Sequence, residues 1–150
     1  MLLLAKIIAL GFGSGKAPFA PGTFGTLAAI PIFLLMQNLS LLWFAALVLL
    51  FFSIGVWACT VYSNYLGVHD HGSIVWDEVV GYLITMIMAP SGWQWVIIGF
   101  ALFRFFDIIK PWPINWLDKR VHGGFGIMID DVLAGIYALI VLQVMAYYFT

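Results

Sequence analysis

Charge is what this sequence has least of. Only 9% of its 150 residues are charged, with 6 Lys and Arg against 7 Asp and Glu. That is far below the roughly one-quarter charged content of soluble globular domains. No charged residue occurs across 17–69, 79–103 or 132–150. Cysteine is nearly absent too. The single Cys59 excludes an internal disulfide and a cysteine-built metal cluster. No tandem repeat or low-complexity tract is present, and no nucleic-acid partner is expected. A cleavable signal peptide is not expected either, because Lys6 interrupts the first apolar stretch and no small-residue cleavage site follows it.

What remains is apolar. Hydrophobic residues make up 64% of the chain, and the charge-free runs are long enough to cross a bilayer core, which takes roughly 20 residues as a helix. The expectation is an all-α, polytopic membrane helical bundle formed by one domain, 1–150. The pattern divides into apolar segments at 1–12, 24–36, 41–62, 79–89, 93–109 and 132–149. Polar loops are expected at 13–23, 64–76 and 111–129, with uncharged turns at 37–40 and 90–92. The helix at 93–109 should stop at Lys110, since proline disfavours helical geometry in the residue before it. Segments of 11 to 13 residues reach only about 17–20 Å. They either extend into the loops or form re-entrant hairpins, and non-helical backbone at membrane depth must line protein or a cavity.

Parity puts all three polar loops on one side, because each hairpin leaves and returns. Lys16, Arg104, Lys110, Lys119 and Arg120 fall on that side, which the positive-inside rule makes cytoplasmic. The acids gather there as well. Asp77 and Glu78 are expected at one helix start and Asp130 with Asp131 at another. Carboxylates cap helix N-termini at ~0.3–1 kcal/mol each, which accounts for one acid per helix better than for two. Paired carboxylates at membrane depth are costly, and Mg²⁺ takes carboxylate oxygens while keeping several waters. Arg104, Asp107 and Lys110 are spaced for one helix face, either as an ion-pair ladder or as a carboxylate for a metal and a lysine for a phosphate. Asp118 and Asp70 are further acidic candidates. His69 and His71 make a weak zinc signal without cysteine, and His122 is expected to hydrogen-bond within its loop.

The loop "GSGKAPFAPGTFGT" (13–26) is not a Walker loop, because Leu10 and Ala17 stand where that motif needs Gly and Ser or Thr. It is either a plain connector or a generic anion cradle of backbone N–H groups with Lys16, Gly22 and Thr23. Acids for a cation, together with a cradle and lysines for an anion, suit phosphoryl chemistry. A divalent-cation transporter is the non-enzyme alternative. It is disfavoured because the far face carries no ionisable group.

Three stretches, "GFGSGKAPFAPGTFGTLAAIP", "VHDHGSIVWDEVVGYLIT" and "FRFFDIIKPWPINWLDKRVHGGFGIMIDDVLAG", closely resemble the phosphatidylglycerophosphatase A family in order and spacing. The resemblance implies a bacterial inner-membrane, Mg²⁺-dependent lipid phosphatase. Its reaction would convert phosphatidylglycerophosphate to phosphatidylglycerol and inorganic phosphate, the last step of phosphatidylglycerol synthesis. Carried over by motif, Asp77, Glu78, Asp107, Asp130 and Asp131 would bind metal and, with Lys110, carry catalysis. Lys16, Pro21-Gly22-Thr23, Arg104 and Lys110 would hold phosphate, and Asp118 would lie nearby. An alcohol phosphotransferase would instead show four aspartates with an Ala-Arg step, which is absent.

Overall fold

A computed structural model describes residues 1–68 and 71–150, so His69 and Asp70 lie outside the described residues. It is helical throughout: α1 (Leu2–Ala9), a 3₁₀ turn (Ser14–Lys16), α2 (Pro21–Met36), α3 (Leu41–Leu66), α4 (Trp76–Thr85), α5 (Trp93–Ile109), α6 (Ile114–Arg120) and α7 (Gly123–Phe149).

The helix ends follow local chemistry. Pro21 opens α2, where its missing N–H costs nothing. Ser40 caps α3, and Gly67 ends it in the left-handed conformation at φ 72°, as C-terminal glycines do. Lys110 ends α5 at φ 50°, immediately before Pro111. Two helices, α3 and α7, are long and apolar enough to cross a membrane.

The third expected loop, 111–129, is not a loop. It holds α6 and the first two turns of α7. Asp118 therefore sits on a helix, and Asp130 and Asp131 lie well inside α7 rather than at its start. Glycines at 123, 124 and 126 carry low helix propensity, but packing decides otherwise. The Gly124 N–H donates to Thr60 Oγ1 at 3.1 Å, and that glycine fits tightly against the Val56 carbonyl, so α3 seats the start of α7.

Helix α4 is the hub. Almost all of its residues are buried, against α2, α3, α5 and α7. The α4–α7 crossing is close because Gly81 and Gly135 bring the two backbones together, the small-residue device of membrane bundles. Thr85 Oγ1 bonds the Gly81 carbonyl at 3.0 Å and reaches that of Gly135 at 3.5 Å. Trp76 is fixed by its indole N–H to the Phe51 carbonyl at 3.0 Å.

The two uncharged turns meet at one end, where Gln37, Asn38, Met88 and Ser91 help line a cavity of about 130 Å³. The C-terminal half of α7 reaches the same end, with Gln143 donating to the carbonyls of Ile87 and Met88. The other end carries the acidic cluster with Arg104 and Lys110.

Candidate active site

The first turn of α4 supplies Asp77 and Glu78, as the sequence led one to expect. The crossing helix α7 supplies Asp131. Ligand oxygens of Asp77, Glu78 and Asp131 all lie within 4.8 Å of one another. The spacing that produces this is simple. Gly81 is four residues after Asp77, and Gly135 is four residues after Asp131. Residues four apart share a helix face, so the glycine faces that bring α4 against α7 also bring these two carboxylates together. Both stretches read Asp-x-x-x-Gly. That signal was present in the sequence and was not read as a crossing.

Helix α5 closes the site. Arg104 is ion-paired with Asp107 one turn later and lies 4.0 Å from Glu78 Oε1. Lys110 Nζ lies 3.8 Å from Asp118 and 4.0 Å from Asp130. The expected ladder of Arg104, Asp107 and Lys110 therefore splits. Arg104 holds Asp107, while Lys110, beyond the helix end, bridges α6 and α7. Gly22, in the first turn of α2, abuts the same groups. A Cβ there would meet Glu78 Oε1 at 3.0 Å and the Arg104 guanidinium at 3.2 Å. Thr23 is its neighbour on that turn.

Lys16 is not brought in. It is exposed and shares a separate recess with Lys6 of α1. His71 bonds Ser73 through Nδ1 at 2.7 Å, and His122 stands at the N-cap of α7.

Burial makes this cluster unusual. Asp77, Asp107, Asp130 and Asp131 are each no more than 8% exposed. Buried charges normally need partners. Here Glu78 Oε2 and Asp131 Oδ2 are buried without a hydrogen-bond partner among the described residues. Burial pushes the Glu78 carboxyl up to about 7, with Asp107 adding to the rise against the opposing pull of Asp77 and Arg104. For Lys110, burial favours the neutral amine, but the carboxylates of Asp131, Asp118, Asp107 and Asp130 outweigh it and hold the pKa above the ordinary lysine value. The groups fit a hard cation: three convergent carboxylates, two orphaned oxygens and no softer donor in the group.

Carboxylates are gathered beside a guanidinium and an ammonium at one end of an apolar helical bundle, the kinds of group that phosphoryl-transfer chemistry uses. A family model described as Phosphatidylglycerophosphatase A matches residues 7–146. A relative from Escherichia coli named Phosphatidylglycerophosphatase A is 53% identical over 131 residues, covering 87% of this chain and 76% of the relative. One of the same name from Haemophilus influenzae is 49% identical over 144 residues, covering 95% and 88%. A third, from Bacteroides thetaiotaomicron and named provisionally as a phosphatidylinositol-3-phosphatase, is 44% identical over 149 residues, covering 94% and 92%. No solved structure matches the chain. The chain belongs to the phosphatidylglycerophosphatase A family.

Proposed function

We propose that this chain is a Mg²⁺-dependent, membrane-embedded phosphatase that releases the terminal phosphate of phosphatidylglycerophosphate, giving phosphatidylglycerol and inorganic phosphate. Membership of the family supports the reaction. The observation that carries the metal dependence is the convergence of Asp77, Glu78 and Asp131 within 4.8 Å, in a buried setting that leaves two of their oxygens unsatisfied. Both headgroups named among the relatives are phosphomonoesters, so the bond broken would be the same.

In this reading Asp77, Glu78 and Asp131 hold the ion, with Asp107 and Asp130 completing the acidic wall. When bound, Mg²⁺ supplies Lewis-acid polarisation of the phosphoryl oxygens and a more acidic water. Arg104 and Lys110 do the chain's own electrostatic work. A fixed guanidinium and ammonium beside a dianionic phosphate stabilise charge best where water is scarce. The Arg104 pairings with Asp107 and Glu78 orient the guanidinium before the lipid arrives. Gly22 leaves room beside it.

The long apolar helices α3 and α7 would cross the inner membrane, and the ionic end would face the cytoplasm, since the basic residues collect there. Helix α4, ten residues long, spans only about 15 Å. It would be carried at depth by its neighbours, with its polar backbone satisfied by helix formation.

The test is phosphate release by purified protein from phosphatidylglycerophosphate, with phosphatidylinositol 3-phosphate in a parallel arm and each run with Mg²⁺ or chelator. Fast release from the first lipid only, and only with Mg²⁺, is expected. Release that is indifferent to chelator would overturn the metal assignment, and release from the inositol lipid alone would overturn the substrate.

A further inference from the structure

The chain has 6 Lys and Arg residues. Arg104 and Lys110 face the acids, and Arg120 lies over the Trp116 ring at 4.9 Å. Lys6 and Lys16 do something else. Together they line a recess of about 330 Å³, a size at the lower end of small-ligand clefts. The rest of its wall is apolar, including Leu3, Ile7, Leu10 and Phe12. Among the described residues neither lysine has a carboxylate within 4.0 Å.

The arrangement is built by local periodicity. Leu3, Lys6, Ile7 and Leu10 follow i, i+3, i+4, i+7 spacing, which is one helix face. Lys6 can lay its stem along that face and present its ammonium at the edge. The 3₁₀ turn then folds back and places Lys16 across from it. The Val75 N–H donates to the Ala9 carbonyl at 2.8 Å, so the recess opens at the end of the bundle where α4 begins. Leu3 is 70% exposed, Ile7 43% and Phe12 66%, so among the described residues this outer part of the apolar wall is open, while Leu10 forms its buried floor. Two ammonium groups above an exposed apolar stripe complement one chemistry closely: an anionic headgroup with an acyl chain beneath it.

We infer that this recess binds one anionic phospholipid of the surrounding bilayer, at a site separate from the carboxylate cluster. The inference rests on the membrane placement proposed above and not on the reaction. Phosphate in the headgroup sits between Lys6 and Lys16, and one chain lies along Leu3 and Ile7. Basic residues at an anionic membrane surface contribute ~1 kcal/mol each, which corresponds to about a fivefold loss of affinity per lysine removed.

Native mass spectrometry of the detergent-solubilised protein, offered phosphatidylserine or phosphatidylcholine with matched chains, tests this. Phosphatidylserine has no phosphomonoester, so it is not a substrate for the carboxylate site and reports on the recess alone. Wild type should retain phosphatidylserine in preference, with or without added inorganic phosphate. Lys6→Gln and Lys16→Gln should each weaken that preference about fivefold, and the double variant should abolish it. Photoactivatable phosphatidylserine should cross-link wild-type α1. An undiminished preference in the double variant, loss only in Arg120→Gln, displacement by inorganic phosphate, or cross-links confined to α6 would each overturn the site.

Discussion

A Cβ added to Gly135 would lie 2.5 Å from the carbonyl oxygen of Gly81. The backbones of α4 and α7 therefore touch one turn beyond the acids they carry, and the separation of Asp77 from Asp131 is set by two missing side chains. Gly135→Ala should push the helices apart and cost ~1–3 kcal/mol, the usual range for overpacking. The melting temperature in detergent should fall, and Mg²⁺ should restore less of it than in wild type. Gly72→Ala, where an added Cβ meets nothing within 4 Å, is the control. Equal melting of both variants would contradict the crossing.

Asp131→Asn should remove turnover and Mg²⁺-induced stabilisation together. Asparagine keeps the size and loses the charge. Because Asp131 lies inside α7, the substitution disturbs no helix cap, so capping offers no rival account of a loss. Phosphate release across a Mg²⁺ titration is the measurement, and a wild-type curve would return this carboxylate to a structural role.

Lys110→Gly separates backbone from charge. The position has φ 50°, which glycine adopts without the ~1–2 kcal/mol penalty of a side chain there. The relieved backbone offsets part of what the lost bridge to Asp118 and Asp130 costs, so the variant should still fold. Removing the ammonium that faces Asp118 and Asp130 should nonetheless lower kcat/KM by tenfold or more, on the order of the 1.4 kcal/mol or greater expected of a charged hydrogen-bonding group. Retained activity with retained fold would exclude Lys110 from phosphate binding.

Stability should fall with rising pH in the metal-free protein, and Mg²⁺ should offset that fall. The Glu78 carboxyl rises from 4.5 to about 7 in the folded chain. Between those values the folded state keeps a proton that the unfolded chain has released. The metal-free fold therefore loses stability as pH rises through that window and levels off above it. Mg²⁺ needs the ionised carboxylate, so the melting-temperature gain from Mg²⁺ should grow over the same interval. Melting curves from about pH 5 to about pH 8, in chelator and in excess Mg²⁺, check both signs.

Cysteine labelling tests the orientation. In a Cys59→Ser background, Asn38→Cys at one turn and Lys119→Cys on α6 should be modified from opposite faces of the membrane, position 119 from the cytoplasm. Labelling of both from one face would remove the parity argument and the cytoplasmic assignment with it.

The sequence was most legible where a local rule acts alone. Pro111 marked the end of α5 at Ile109, and the paired acids of 77–78 marked the start of α4. It was least legible where tertiary contact overrides local preference. The glycines of 123–126 carry low helix propensity, yet α3 holds them in α7 through Thr60. That misplaced Asp130 and Asp131 at a helix end. For Lys16, a Gly- and Pro-rich loop allowed an anion cradle or a plain connector and could not show on which side of its turn the side chain leaves. The 3₁₀ turn sends it toward α1. Gly22 in the same loop was assigned to the site and lies against it.

The near-complete burial of α4 also bears on how the protein is made. Ribosomes deliver α4 before α5 and α7, so Asp77 and Glu78 emerge while half of their enclosure is still untranslated. A ten-residue segment carrying two carboxylates has little tendency to enter lipid unaided. Its complete enclosure would therefore await the final helix, and the acidic core would be the last part of the chain to be sealed during biogenesis.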